Sequence, residues 1–247
     1  LFHVEHLPAQ ESQNPTIHLT LYGYGDVHPL SLMSWVGLTA ELAKSTDWKG
    51  DMRLVREDAL ISRSRCRATK WFLDSGADVW IQIDHDIEFQ PEDILEIARI
   101  AHARNAVVCI PYSCRALPPK PALRVKVGAK PLEDDPRLTP ITLFASGCVA
   151  IPGELLEHCL DELSKEEMDL PLGIQWCDDT LTGGQIPTLW MPFAAEVRDR
   201  LEYLSEDYAA SYRLAACGAE QLVFEPRTPL KHWGDFPFRM AGLEIKN

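Results

Sequence analysis

The chain has 247 residues, 46% hydrophobic and 25% charged, a globular composition large enough to bury a core without disulfides or structural metal. A formal charge of −13 argues against a surface that tracks a nucleic-acid duplex, which needs clustered Lys and Arg. No run approaches the roughly 18 apolar residues of a membrane helix.

Residues 1 to 15 lack periodicity, end in Asn14-Pro15, and read as a tail. The chain begins with Leu1, which leaves room for a trimmed or processed start. Thr16 to Leu21 alternates as a strand and runs into Tyr22-Gly23-Tyr24-Gly25-Asp26. Ser31 to Lys44 has helical spacing of Leu32, Trp35, Val36, Leu38 and Leu42, and Met52 to Val55 is a second short strand. Ser62 to Leu73 reads as a helix whose polar face carries Arg63, Arg65, Arg67 and Lys70, closed by Gly76. Val79 to Ile83 is a nearly continuous apolar strand of the kind buried in a parallel sheet. It ends at Asp84-His85-Asp86, and Pro91 opens the next helix with Glu92 and Asp93 in its first turn. Ala106 to Ile110 is a further strand. The first half thus alternates strand and helix, which predicts an α/β fold with a doubly wound, mostly parallel sheet.

The second half is less regular. Pro111 to Arg137 is proline-rich and reads as loop, with one hairpin near Leu123 to Val127. Ile141 to Ile151 reads as one strand interrupted at Ser146-Gly147, and Gly153 to Leu163 as a helix. Pro171 to Gly184 reads as loop, Glu206 to Gly218 as an amphipathic helix, and Gln221 to Phe224 as a strand. The organisation expected is a tail (1–15) and one domain (16–247), with a nucleotide-binding half at 16–112 and an acceptor-side half at 113–247. Seven scattered cysteines without a CxxC pair read as reduced, mostly buried thiols, which points to the cytoplasm. Trp35, Trp48, Trp71 and Trp80 fall at core positions. Trp176, Trp190 and Trp233 lie in loop-like segments where a ring can stack on a sugar or simply pack.

Three constellations carry chemistry. Asp84 and Asp86 flank His85 at the end of a central strand, where ligands of open α/β sheets bind. One carboxylate there can meet a ribose hydroxyl and the other a hard cation, Mn²⁺ or Mg²⁺, that bridges diphosphate oxygens. The plain alternative is a polar strand end that caps the next helix. Glu206 and Asp207 open a helix, where a carboxylate stays ionised and can take a proton, or can serve as a simple cap after Ser205. Near the end, His232 is either an imidazole ligand or a surface histidine beside Trp233, and Lys231 can neutralise diphosphate.

Taken in order, these segments resemble the GT-A family of nucleotide-diphosphate-sugar glycosyltransferases. The residues that carry the likeness are the Arg-bearing helix with Arg65, the strand ending in Asp84-His85-Asp86, Ser146-Gly147 before Cys148 to Pro152, Glu206-Asp207-Tyr208, and His232 followed by Gly234. The resemblance implies a Rossmann-like fold with a small acceptor-side subregion, and a metal-dependent transfer of a sugar from a UDP-sugar or similar donor to an acceptor hydroxyl. It implies that Tyr22, Gly23 and Tyr24 border the base and ribose, and that Arg65, with Arg63 second, approaches the donor. Asp84 would lie near ribose and metal, Asp86 and His232 on the metal. Asp207 would act as base in an inverting displacement, with Glu206 orienting the acceptor. The chain departs from the pattern at Cys66, where many relatives carry Asn, and at His85. Two other readings stand beside it. One is a nucleotidyltransferase or nucleotide-sugar hydrolase, disfavoured because Tyr22 to Asp26 contains no Lys or Arg; the other is a non-catalytic sugar-binding module.

Overall fold

The structure, a computed structural model, describes residues 14–23, 27–56, 58, 60–114, 118, 120–165, 168, 171–197, 200–233 and 238–239. Its elements in chain order are β1 (Thr16–Gly23), α1 (Pro29–Lys44), β2 (Lys49–Arg56), α2 (Ile61–Ser75), β3 (Val79–Asp84), β4 (Ile87–Glu88), α3 (Pro91–Arg104) and β5 (Val107–Cys109). They continue with β6 (Arg124–Val125), β7 (Leu138–Leu143), β8 (Cys148–Pro152), α4 (Gly153–Leu163), β9 (Trp176–Asp179) and β10 (Gly184–Pro187). The last are β11 (Phe193–Val197), β12 (Arg200–Leu204), α5 (Glu206–Ala216), β13 (Gln221–Phe224), β14 (Lys231–His232) and β15 (Phe238–Arg239).

Eight strands form the central sheet in the order β2, β1, β3, β8, β5, β13, β7, β6. β1 runs parallel to both its neighbours and β13 parallel to β5, while β8 and β7 run against the strands beside them. The sheet is therefore mostly parallel in direction, with helices on both faces. Strand alternation assigns the two cores. Ile17, Leu19 and Leu21 of β1 and Ile81 and Ile83 of β3 pack with Trp35, Leu38, Ile94 and Ile97 of α1 and α3. Tyr22, Trp80, Val149 and Ile151 face Phe72 of α2, Leu156 and Leu160 of α4, and Leu214 of α5. This is the Rossmann-like α/β class expected from the strand–helix alternation.

From β1 the chain passes through α1 to β2 on one side; from β3 it passes through α3 to β5 on the other. The crevice between the ends of β1 and β3 is thus the point where strand order reverses, the place such sheets bind ligands. Local signals fix the elements around it. Pro91 starts α3, Asn105 ends it in the left-handed conformation (φ 49°), and Gly76 ends α2 the same way (φ 64°).

The second half departs from expectation. The segment Ile141 to Ile151 is two strands, not one: β7 lies beside β13, and β8 inserts antiparallel between β3 and β5. β6 pairs with β7 rather than closing a local hairpin near Leu123. The segment read as loop holds a hairpin, β9–β10, and a second hairpin, β11–β12, precedes α5. The irregular chain on either side of the β9–β10 hairpin is gathered by Arg213 of α5. Its buried guanidinium donates to the carbonyls of Leu189 (2.7 Å), Met191 (2.8 Å), Pro171 (3.0 Å) and Leu172 (3.2 Å). Burial lowers its pKa to about 10, which leaves it charged at neutral pH. All seven cysteines are free; Cys66, Cys109, Cys148 and Cys159 are buried, whereas Cys114 and Cys177 are exposed. No helix among the described residues is long and apolar enough to cross a membrane.

Candidate functional site

Parallel register sets Tyr22 at the end of β1 directly beside Asp84 at the end of β3. Backbone bonds lock this corner: His85 N–H donates to Tyr22 O (2.8 Å) and Asp84 N–H to Gly147 O (3.0 Å). The chain then turns through Asp86 into β4, which pairs antiparallel with β14, so that His232 lies opposite Ile87. Trp233 N–H donates to Asp86 O (2.8 Å). Backbone pairing alone thus carries a C-terminal histidine to the acidic strand end.

His232 Nδ1 lies 2.8 Å from the carbonyl oxygen of Ser113. A carbonyl can only accept, so Nδ1 bears the proton and, in the neutral ring, Nε2 presents its lone pair. That nitrogen is 3.4 Å from Asp86 Oδ2. Fixing one ring nitrogen on a carbonyl so that the other faces outward is how proteins orient metal-binding histidines. The ring also packs edge-on against Tyr112, centroids 5.3 Å apart.

Asp84 is differently placed. Arg65 Nη2 donates to its Oδ1 (2.9 Å), and Nη1 donates to Gln82 Oε1 (3.2 Å). Among the described residues no three His, Cys, Asp or Glu side chains are arranged to hold a metal ion. The donor set that is present, one carboxylate and one oriented imidazole, is of the chemical type that could contribute to holding a divalent cation.

Arg65 and Arg67 do not lie on an exposed face of α2; both are buried. Arg65 stacks over the rings of Tyr22 (4.5 Å) and Trp190 (5.5 Å), its Nε is 3.9 Å from Glu206 Oε1, and Nε has no hydrogen-bond partner. Burial alone would lower its pKa, but Asp84, Tyr22, Glu206 and Asp207 outweigh it and hold the guanidinium firmly charged. Burial pushes the Tyr22 phenol well up and also raises Glu206, which Arg65 partly offsets and Asp207 reinforces. Arg67 binds Asp179 through two bonds (2.8 and 3.0 Å) and Asp58 through one (3.2 Å), tying α2 to the β9–β10 hairpin.

Two cavities open at this end of the sheet. The smaller, about 260 Å³, lies in the crevice and is lined by Tyr22, Gly23, Asp58, Arg65, Asp84 and Glu206 among others. The larger, about 520 Å³, is lined by Tyr112, Cys114, Ser205, Asp207, Tyr208 and His232. Asp86 belongs to both walls. The adjacent acids that open α5 therefore face different chambers. Glu206 sits with Arg65 in the crevice and does not line the larger cavity. Asp207 sits in the larger chamber, its Oδ1 accepting from Tyr208 N–H (2.8 Å) and from the Ser205 hydroxyl.

Other expected site residues stand apart. Arg63 is half-exposed and forms a two-pronged ion pair with Asp58 (2.6 and 2.8 Å); it lines neither cavity. Lys231 pairs with Glu88 and also lines neither cavity. Tyr24 lies outside the described residues. Trp190 is fully buried, donating to Thr69 Oγ1 (2.9 Å), so it cannot stack on a ligand; Trp176 is exposed, and Trp233 stacks on His28 at 4.0 Å.

Sequence reasoning missed Asp58, Ser113 and Tyr112. Asp58 follows an edge strand and carries no motif, and Ser113 acts through a backbone carbonyl that any residue supplies. Tyr112 could have been sought through Gly147. A Cβ there would fall 2.5 Å from the Tyr112 ring, so only glycine admits that ring to the site.

No protein-family model matches the sequence, and no curated protein does. Among solved structures, the chain is similar to A197 from STIV, with TM-score 0.53, 13% identity, and coverage of 94% of this chain and 98% of that one. At this identity the likeness speaks to the fold, which the two share over nearly their whole lengths. Lower similarity, TM-score 0.35, is found with a 4-diphosphocytidyl-2C-methyl-D-erythritol synthase from Anaerococcus prevotii (11% identity, 64% of this chain, 79% of that one). The same score is found with a glycosyltransferase involved in the glycosylation of the major capsid of PBCV-1 (10% identity, 64% of this chain, 71% of that one).

Proposed function

We propose that the chain is a metal-dependent GT-A-type glycosyltransferase that moves a sugar from a nucleotide-diphosphate donor to an acceptor hydroxyl. One observation carries the reading: Asp86, which lines both chambers, has its Oδ2 3.4 Å from Nε2 of His232, which lines the larger one. The crevice with Tyr22, Gly23, Asp84 and Arg65 suits the donor. Arg65 is a permanently charged, rigidly stacked cation beside Asp84, suited to hold the diphosphate or a sugar hydroxyl close to the strand end. The larger chamber suits the acceptor. There Asp207 takes the proton of the acceptor hydroxyl as its oxygen bonds to the anomeric carbon and the bond to diphosphate breaks, a single displacement that inverts configuration. Asp86 and His232 would hold the cation, which would supply neutralisation of charge on the leaving diphosphate. Glu206 falls to the donor side, where it balances Arg65.

The test is a panel of nucleotide sugars scored by thermal stabilisation with and without Mn²⁺ or Mg²⁺, followed by product analysis with the donor that binds. Ligand binding to the folded state must raise the melting point by mass action. A cation-dependent rise with one donor, abolished in Asp86→Asn, is expected. No rise with any donor, or one indifferent to both cation and Asp86, would overturn the assignment.

A further inference from the structure

The β2 edge of the central sheet, whose far end at Val55 reaches the crevice, carries a second kind of site. Among the described residues β2 forms one end of the central sheet, eight residues long and without proline, with β1 on its inner side. Lys49 N–H donates inward to Pro15 O, so by strand alternation Gly50, Met52 and Leu54 direct their backbone groups outward. Such an edge is a template for another strand. The side chains of Met52 and Leu54 are 47% and 44% exposed, and Leu32 and Val36 of α1 are 50% and 52% exposed. Between α1 and the edge lies a cavity of about 190 Å³ lined by Leu19, Thr39, Leu42, Ala43 and Gly50.

We propose that this edge pairs with β2 of a second copy of the chain, in antiparallel register about Met52, giving a two-fold dimer with one continuous sheet. Outward-directed residues must face one another, so the two-fold can pass only through a residue and not between residues. Centred on Asp51, the pairing would set Asp51 against its own copy and Lys49 against Arg53; centred on Arg53, it would set Arg53 against itself. Centred on Met52, it sets Asp51 against Arg53 of the partner subunit twice over. Both side chains are exposed and of opposite charge. In that register Met52 exchanges backbone bonds with its own copy, and Gly50 exchanges them with Leu54 of the partner subunit. Gly50 has no side chain at the spot where that leucine arrives, beside the cavity between α1 and the edge. Centred on Gly50, the pairing would also oppose Lys49 and Asp51 but would overlap only residues 49–51 of the strand. Charge, overlap and shape together favour the register about Met52, and like charges disfavour those on either side of it.

Sedimentation of the wild-type protein across a concentration series tests the proposal, together with Leu54→Lys and Met52→Cys. The wild type is expected to dimerise. Leu54→Lys should raise the dissociation constant at least about tenfold with an unchanged circular-dichroism spectrum, because a charged lysine must then replace the leucine that the dimer would pack against Leu19 and Leu42. Met52→Cys should cross-link to a disulfide dimer in oxidised glutathione, since a hydrogen-bonded antiparallel pair brings Cα atoms to about 5.5 Å; Lys49→Cys, far from its own copy, should cross-link no more than wild type. A wild-type monomer at all concentrations would overturn the proposal. So would a dimer that Leu54→Lys leaves intact and Met52→Cys does not cross-link. A monomer whose β2 amides resist hydrogen exchange would show instead that the chain's own residues cover the edge.

Discussion

Replacing Asp58 with Asn removes a charge buried between two guanidinium groups, and the cost can be worked from the site. The carboxylate accepts from Arg63 Nε (2.8 Å) and Nη2 (2.6 Å), from Arg67 Nη1 (3.2 Å) and from Leu60 N–H (3.0 Å). The bonds from Arg63 above all, against the opposing effect of burial, bring its pKa from 3.8 to about 2. Each tenfold loss of proton affinity on folding is worth about 1.4 kcal/mol, so the charged form contributes roughly 2–2.5 kcal/mol to folding. The loss should stay near that value and not reach the roughly 3–5 kcal/mol of a stripped buried pair. Arg67 keeps both bonds to Asp179, and half-exposed Arg63 can return to water. The sign follows from a folded pKa below the unfolded one. The contribution is complete above about 3.8, is lost as pH falls through about 2, and is absent below. Urea unfolding followed by tryptophan fluorescence should therefore show Asp58→Asn less stable by about 2 kcal/mol at pH 7, the two proteins converging in strong acid. A gap smaller than about 0.5 kcal/mol at pH 7, or one that persists unchanged into acid, would refute the reasoning.

Gly147→Ala should cost about 1–3 kcal/mol and displace Tyr112 from His232, because the new methyl group would sit 2.5 Å from the ring; adding Tyr112→Ala should relieve the clash, as urea midpoints of both variants will report. Under the proposed activity, Asp207→Asn should lower turnover by at least about 100-fold with donor affinity nearly unchanged, and normal turnover would remove Asp207 as base. His232→Gln should abolish cation-dependent stabilisation by donor while leaving the fold intact by circular dichroism, and an undiminished cation effect would take the imidazole out of the site. Arg65→Lys should weaken donor binding measurably by calorimetry even though charge is kept, because a lysine cannot stack between Tyr22 and Trp190 while holding Asp84 and Gln82.

The first half of the molecule was legible because each element announces itself locally. The apolar run of Val79 to Ile83 marks a central strand, Pro91 starts a helix, and Gly76 ends one. Asp84 and Asp86 stand out because they interrupt that run where parallel sheets expose their ligands. Arg65 and Arg67 read from the sequence only as part of a polar helix face, and their burial is not legible there. In the structure their charge belongs to a buried network whose partners, Asp84 and Asp179, come from other elements. Ile141 to Ile151 looked like one strand because its two halves are equally apolar, and only distant partners separate them. The hairpin at Trp176 to Pro187 hid because two of its side chains, Asp178 and Asp179, belong to the class that marks loops, and Gly183 (φ 72°) serves the turn itself. Ser113 could not have been found at all, since its contribution is a main-chain oxygen.

Arg213 leaves the irregular segment before α5 with an uneven set of obligations. Its guanidinium reads four main-chain oxygens, which every amino acid carries alike, so both ends of the segment 171–191 are held by a residue outside it, while the hairpin between is pinned through Asp179. The exposed side chains of that segment are accordingly free to drift or be redesigned, while the single arginine on the helix is not.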